Sequence, residues 1–492
     1  MVWISPYPNL VAPSSSVIIL VADGVRPDTL LGAMRDDTLP ALARLKREGT
    51  FNTVTTVFPS VTGPAYTPFL MGKHPGKVGL PGLRWYDRSR TACSWPSHAR
   101  SYVGVGMRHV DGDIDGASRT MFELAPSSVA ALSVIRRGVR ERDRIGNGLA
   151  FAGRTAMTHF RGDVHGWLDI DRQIGDELVR RVREEKPAFV FAAFTGIDKA
   201  SHAKGHESTV VREAMGIVDD VACRIREDAE CGGYWDSMHL WVVSDHGHSP
   251  VRQHDDLAAE ITALGYRVLA HPWAVTRNPN IALMVSGNAM AHVYLDPGER
   301  GRRFWHPLEA SLPIGTWTRS IDKRWNALAD TLLQRASVDV MLLPRSLWAC
   351  EVRGRGRGMA LVTWGTRGYT YRPETGDPLG IGTLDGLDAT DAYDATLGSD
   401  YPDALVQIMA LCECSRSGDI ILSAARDWDF RARYEPIPHV SAHGALHREH
   451  MLVPLLTNHP TRRVPRRTVD VMPSAAAVLG IAPGRVDGTP FL

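Results

Sequence analysis

The stretch Val17-Ile-Ile-Leu-Val-Ala22-Asp23-Gly24 decides the fold class. Its apolar residues run without alternation, as expected of a strand buried on both faces of a parallel sheet. A helix is read after it, with Thr38 as cap, Leu39, Leu42 and Leu45 on one face, and Gly49 as its stop. The design recurs. Ala188–Phe194 runs into Thr195-Gly-Ile-Asp198, and His239–Val243 runs into Ser244-Asp-His-Gly247. Met451–Leu456 is a fourth candidate strand, and Thr468 to Gly480 reads as a closing helix. Strands alternating with helices predict an α/β fold, a doubly wound and mostly parallel sheet sandwiched by helices. Three strands end in polar residues, at the carboxyl edge where open α/β sheets hold their sites.

Two stretches break the alternation. Residues 84–165 are rich in Arg, Gly and Ser with few clear strands, and 270–435 carries Trp-rich and Gly/Asp-rich loops. Both read as insertions forming a cap over the active edge. The core is then divided into 1–83, 166–269 and 436–492. The segment Arg353-Gly-Arg-Gly-Arg-Gly358 is read as a hairpin turn between Val338–Leu343 and Met359–Thr363 rather than as an RNA-binding element. Trp85, Tyr86, Trp273 and Trp305 offer surfaces that could stack on a base, but core filling is the preferred reading.

The 492 residues are 44% hydrophobic and 23% charged, an ordinary globular composition. A net charge of +1 leaves no global basic field for a nucleic-acid polymer. Arg462, Arg463, Arg466 and Arg467 form one dense basic run, read as a solvated surface loop. No apolar run approaches the roughly 18 residues of a membrane span, and the first residues do not resemble a secretory signal. Six scattered cysteines contain no CxxC pair. A reduced cytoplasmic protein is expected, and no oligomeric state follows from the sequence.

Asp198 and His202 are spaced i, i+4, so a carboxylate and an imidazole share one side of a helical turn. Asp245 and His246 are adjacent at another strand end, Asp23 ends the first strand, and His443 lies in Ser-Ala-His-Gly. Singly, each reads as a helix cap or a structural histidine. Together they supply the oxygen and nitrogen donors that zinc and similar cations take. In Pro59-Ser-Val-Thr62-Gly-Pro64, Pro64 suits a first helical turn, which places Thr62 near its cap beside free N–H groups. His439 and His447 flank His443 as substitutes for it. His248 and His254 read as supporting or surface residues, and Lys199 as solvated.

These five motifs, in this order and spacing, resemble the alkaline phosphatase superfamily and, more closely, its type I phosphodiesterase/nucleotide pyrophosphatase branch. The tail from Val469 to Gly480 followed by Val486-Asp-Gly-Thr-Pro resembles the end of that family's core. The resemblance implies two divalent metal ions, zinc first and manganese or another transition metal second. One would be held by Asp23, Asp245, His246 and the Thr62 oxygen, the other by Asp198, His202 and His443. Two cations roughly 4 Å apart can clamp the attacking and leaving oxygens of an in-line displacement. With no neighbouring base evident, cation binding would activate Thr62. A phospho-threonine intermediate and its hydrolysis by water follow.

The family asparagine three residues after the nucleophile is Ala65 here, so substrate orientation falls to another group such as the Gly63 backbone N–H. Tyr66 stands where a sulfatase has arginine, and Thr62 where phosphoglycerate mutases have serine. The leading expectation is a phosphodiesterase or pyrophosphatase acting on a small nucleotide-like or alcohol-phosphate diester. A phosphomonoesterase or phosphonate (C–P) hydrolase is the alternative. The complete ligand set speaks against a non-catalytic metal-binding homologue.

Overall fold

The computed structural model describes residues 15–88, 99–271, 276, 278–296, 323–431 and 439–492. Its seven-stranded sheet is built from β1 (Ser16–Ala22), β2 (Thr50–Thr55), β3 (Ser128–Ala131), β4 (Arg144–Ile145), β5 (Phe189–Phe194), β6 (Met238–Val243) and β7 (Leu452–Thr457). Their order is β2-β7-β6-β1-β5-β3-β4. The run β6-β1-β5-β3-β4 is parallel, and β7 is antiparallel to both β6 and β2. Continuous hydrophobicity in β1 has a simple cause. Ile18, Leu20 and Ala22 pack under the helices Pro40–Glu48, Val164–Glu185 and Thr209–Cys231. Val17, Ile19 and Val21 face Thr67–Met71 and Val471–Val478 on the other side. With a side-chain period of two, each half of the run feeds its own core.

Register sets the site. Ala22 lies beside Phe194, and Val21 beside Val243. The residues that follow β1, β5 and β6 therefore emerge side by side at one carboxyl edge. A second sheet of nine strands runs from Val268–Ala270 to Ile420–Ala424 and is antiparallel except for its first pair. Its turn at 287–289 reaches the carboxyl edge of the first sheet: His443 N–H donates to Gly287 O at 3.2 Å, and Ala289 N–H to His443 O at 3.1 Å.

Several local expectations change. The helix after β1 is two helices, Pro27–Arg35 and Pro40–Glu48. Thr38 does not cap the second, because its hydroxyl donates to Ala33 O at 2.8 Å instead. The stretch 84–165 is more than a cover, since it supplies β3 and β4 to the parallel sheet. The Arg-Gly segment is a turn, but it joins Ala349–Gly354 to Gly358–Gly365, and Val338–Ser346 is a further strand beside that hairpin. Trp85 and Tyr86 are buried core residues. Trp273 and Trp305 lie outside the described residues.

Candidate active site

Asp23 directly follows β1, where Gly24, at φ +80°, lets the chain pass the neighbouring imidazoles. A Cβ at Gly24 would stand 2.8 Å from His248 Cδ2, so no side chain fits. Helix Gly196–Lys204 starts straight after β5 and carries Asp198 and His202 on one face. Asp245 and His246 leave β6, where Ser244 Oγ accepts the Val25 N–H at 2.9 Å and donates to His246 O at 2.7 Å. His443 follows the short strand Ser441–Ala442, which pairs with Ser249–His254. Asp23, Asp198, Asp245, His202, His246 and His443 are all buried.

Thr62 is half-buried just ahead of the helical turns Pro64–Tyr66 and Thr67–Met71, with Gly63 rather than Thr62 at the cap position. Its Oγ1 donates to Asp23 Oδ1 at 3.3 Å and lies 3.1 Å from His246 Nε2. His246 Nε2 is 3.2 Å from Asp23 Oδ1 and 3.7 Å from Asp245 Oδ2. Beside this cluster, His202 Nε2 and His443 Nε2 stand 3.2 and 3.6 Å from Asp198 Oδ1. The His246 and His443 rings stack with centroids 3.6 Å apart and join the two clusters. The sequence-predicted site residues thus converge from five separate segments of chain.

The donors suit cations. His202 Nδ1 donates to Ser441 O at 2.8 Å, and His443 Nδ1 to Ser60 O at 2.9 Å. A carbonyl oxygen only accepts, so the hydrogen-bond pattern assigns the proton to Nδ1 and leaves each Nε2 lone pair facing the Asp198 carboxylate. Asp245 Oδ2 is buried with no hydrogen-bond partner among the described residues. The Asp23–Asp245–His246 cluster also draws protons. Burial first, and then the Asp23 charge, raises the Asp245 pKa well above the carboxylate range. At His246 burial opposes the charged form, but the Asp245 and Asp23 carboxylates outweigh it and lift the pKa to about 9. Burial also raises Asp198, yet Lys199, His202 and His248 together draw it well below its ordinary value. Burial holds His443 well below the usual imidazole range, with His246 adding to the effect. Excess negative charge and converging lone pairs fit divalent cations.

Lys199 differs from its sequence reading, and His248 takes the supporting rather than the surface alternative. His248 is fully buried with Nε2 2.9 Å from Asp198 Oδ1, and burial pushes its pKa down to about 3. A His-x-His pattern at a strand end was the available signal. Lys199 Nζ sits 2.8 Å from Asp198 Oδ2. The flanking histidines do not replace His443, since His439 stacks on His202 and His447 binds Glu449, while His254, read as supporting or surface, binds Asp429. Ala65 packs with Val57 and Val469.

No curated protein sequence matches the chain. Phosphonoacetate hydrolase from Sinorhizobium meliloti 1021, seen with phosphonoformate, is 15% identical, with 95% of this chain and 96% of that one covered at a TM-score of 0.55. Human ectonucleotide pyrophosphatase/phosphodiesterase 5 is 12% identical, with 96% and 97% covered at 0.55. An inactive form of the murine protein in complex with AMP is 13% identical, with the same coverages at 0.53. At these identities the likeness establishes the alkaline-phosphatase-like fold. The family model of type I phosphodiesterase / nucleotide pyrophosphatase matches residues 17–351, from β1 into the second sheet and over more than half of the sequence. The chain therefore belongs to the type I phosphodiesterase / nucleotide pyrophosphatase family and is a phosphoric ester hydrolase.

Proposed function

We propose that the enzyme hydrolyses a small phosphate diester or pyrophosphate, nucleotide-like or alcohol-derived, through a phospho-threonine formed on Thr62. The observation that carries this is the placement of Thr62 Oγ1 within 3.3 Å of Asp23 and 3.1 Å of His246, beside the second Asp/His cluster. Asp23, Asp245 and His246 with the Thr62 oxygen would hold one divalent cation, and Asp198, His202 and His443 the other, zinc being the first choice. Bound there, such cations supply a lowered hydroxyl pKa and charge neutralisation at the phosphoryl oxygens. Asp23 and His246 orient the Thr62 hydroxyl for in-line attack on phosphorus, the ester oxygen leaves, and water then cleaves the Thr62–phosphate bond. Among the described residues the Gly63 N–H has no acceptor, which suits it to a phosphate oxygen. The scattered cysteines, with no CxxC pair among them, support a reducing compartment, the cytoplasm.

One observation favours a second reading. The Lys199 ammonium beside Asp198 offers the extra positive charge that a phosphomonoester or phosphonate needs. Hydrolysis of matched aryl phosphate diesters and monoesters by zinc-loaded protein separates the two. Diester preference, lost by a factor on the order of 10³ or more in Thr62→Ala, is the expected result. Monoester preference that Lys199→Gln reduces selectively would favour the second reading. Turnover by Thr62→Ala equal to wild type would sink both.

A further inference from the structure

Three imidazoles, rather than two, face Asp198. The Nε2 atoms of His248, His202 and His443 lie 2.9, 3.2 and 3.6 Å from the same Oδ1 atom. Ring centroids are 4.9 Å apart for His202 and His248, 5.1 Å for His248 and His443, and 5.2 Å for His202 and His443. Zinc bonds of about 2.0–2.1 Å at tetrahedral angles put donor atoms roughly 3.3 Å apart and imidazole centroids roughly 5 Å apart. We propose that His248 is a fourth protein ligand of the cation held by Asp198, His202 and His443, an inference that rests on the two-cation reading above.

The surroundings of His248 prepare it for that role. Its Nδ1 lies 3.1 Å from Ser441 Oγ, and that hydroxyl donates to Ser249 O at 3.0 Å. A serine has one proton to give, so Nδ1–H donates to Ser441 Oγ and the Nε2 lone pair faces the carboxylate, as in the other two imidazoles. A backbone carbonyl, Ser441 O, fixes His202 at the same time as the Ser441 hydroxyl fixes His248. Gly24 leaves the room, since a Cβ there would stand 2.9 Å from His248 Nε2. With His248 each cation would have four protein donors, and a phosphate oxygen would enter as a fifth.

Cadmium NMR of the whole protein, loaded with cadmium and labelled with nitrogen-15 histidine, counts the imidazoles directly. The expected spectrum has one cadmium signal coupled to three ring nitrogens and a second coupled to one. In His248→Gln, which keeps a polar side chain of similar reach but removes the imidazole, the first signal should couple to two. That variant should also bind one of its two zinc equivalents more than a hundredfold less tightly than wild type, beyond the roughly ten- to hundredfold cost of losing an outer partner. An unchanged second signal reports that the variant is folded. Two couplings in the wild-type protein would overturn the role of His248 and leave the two-cation reading standing. Failure to bind cadmium or zinc at all would overturn both.

Discussion

Asp171 shows how one buried side chain links the scaffold to the site. It lies on the helix Val164–Glu185, fully buried, and its Oδ2 accepts the Gly196 N–H at 2.7 Å at the start of the helix that carries Asp198. Burial raises its pKa from 3.8 to about 8. A folded-state pKa above the unfolded one contributes stability that is complete below pH 3.8 and is lost as pH rises through about 8. Chemical unfolding of metal-free protein at pH 5, 6, 7 and 8 should show stability falling by up to about 1.4 kcal/mol per pH unit from this group. Asp171→Asn should remove that increment, because an amide stays neutral, and leave the contributions of Asp245 and His246, whose pKa values are also raised. A slope in Asp171→Asn equal to that of the wild type would assign it elsewhere.

Between elements, the basic run near the C-terminus acts as a clamp rather than as a solvated loop. Arg467 binds Asp403 through two bonds of 2.7 Å, and Asp403 is fully buried at the head of the helix Ala404–Cys412. Arg466 pairs with Asp394, and its carbonyl accepts the Thr55 N–H from the end of β2. The clamp ties the seven-stranded sheet to a helix that packs on the nine-stranded one. Removing one partner of a buried pair leaves an uncompensated charge, so Arg467→Met should cost about 3 kcal/mol in urea unfolding. Adding Asp403→Asn should recover much of that loss. If the double variant is no more stable than the single one, the cost comes from lost packing of the arginine stem.

For the whole molecule, the two clusters place three carboxylates and four imidazoles, counting His248, in one buried volume at the sheet edge. The repulsion among the three carboxylates is a cost that bound cations would relieve, so metal binding and folding should be coupled. Zinc at a hundredfold excess over its dissociation constant should stabilise the fold by about 2.7 kcal/mol for each independent site. Scanning calorimetry should accordingly show a higher unfolding temperature with zinc and a lower one with a chelator. Equal temperatures in the two conditions would count against a resident metal. No described helix is long and apolar enough to cross a membrane.

The sequence by itself determined the parallel sheet and the edge where chemistry is placed. An unbroken apolar run such as Val17–Ala22 is stable only between two covered faces, and the polar residues after β1, β5 and β6 have to emerge at its carboxyl end. Residue spacing also made Asp198 and His202 legible as a pair, because i, i+4 geometry is local. Tertiary structure alone decided the rest. Whether His248 is a supporting residue or a ligand depends on how the strands Ser249–His254 and Ser441–Ala442 pair, contacts that join residues almost two hundred positions apart. Lys199 is drawn to Asp198 by a charge that burial leaves without water. β3 and β4 are strands because partners exist for them, β3 beside β5 and β4 beside β3. Short strands carry little periodic signal of their own, so their pairing is a property of the assembled sheet.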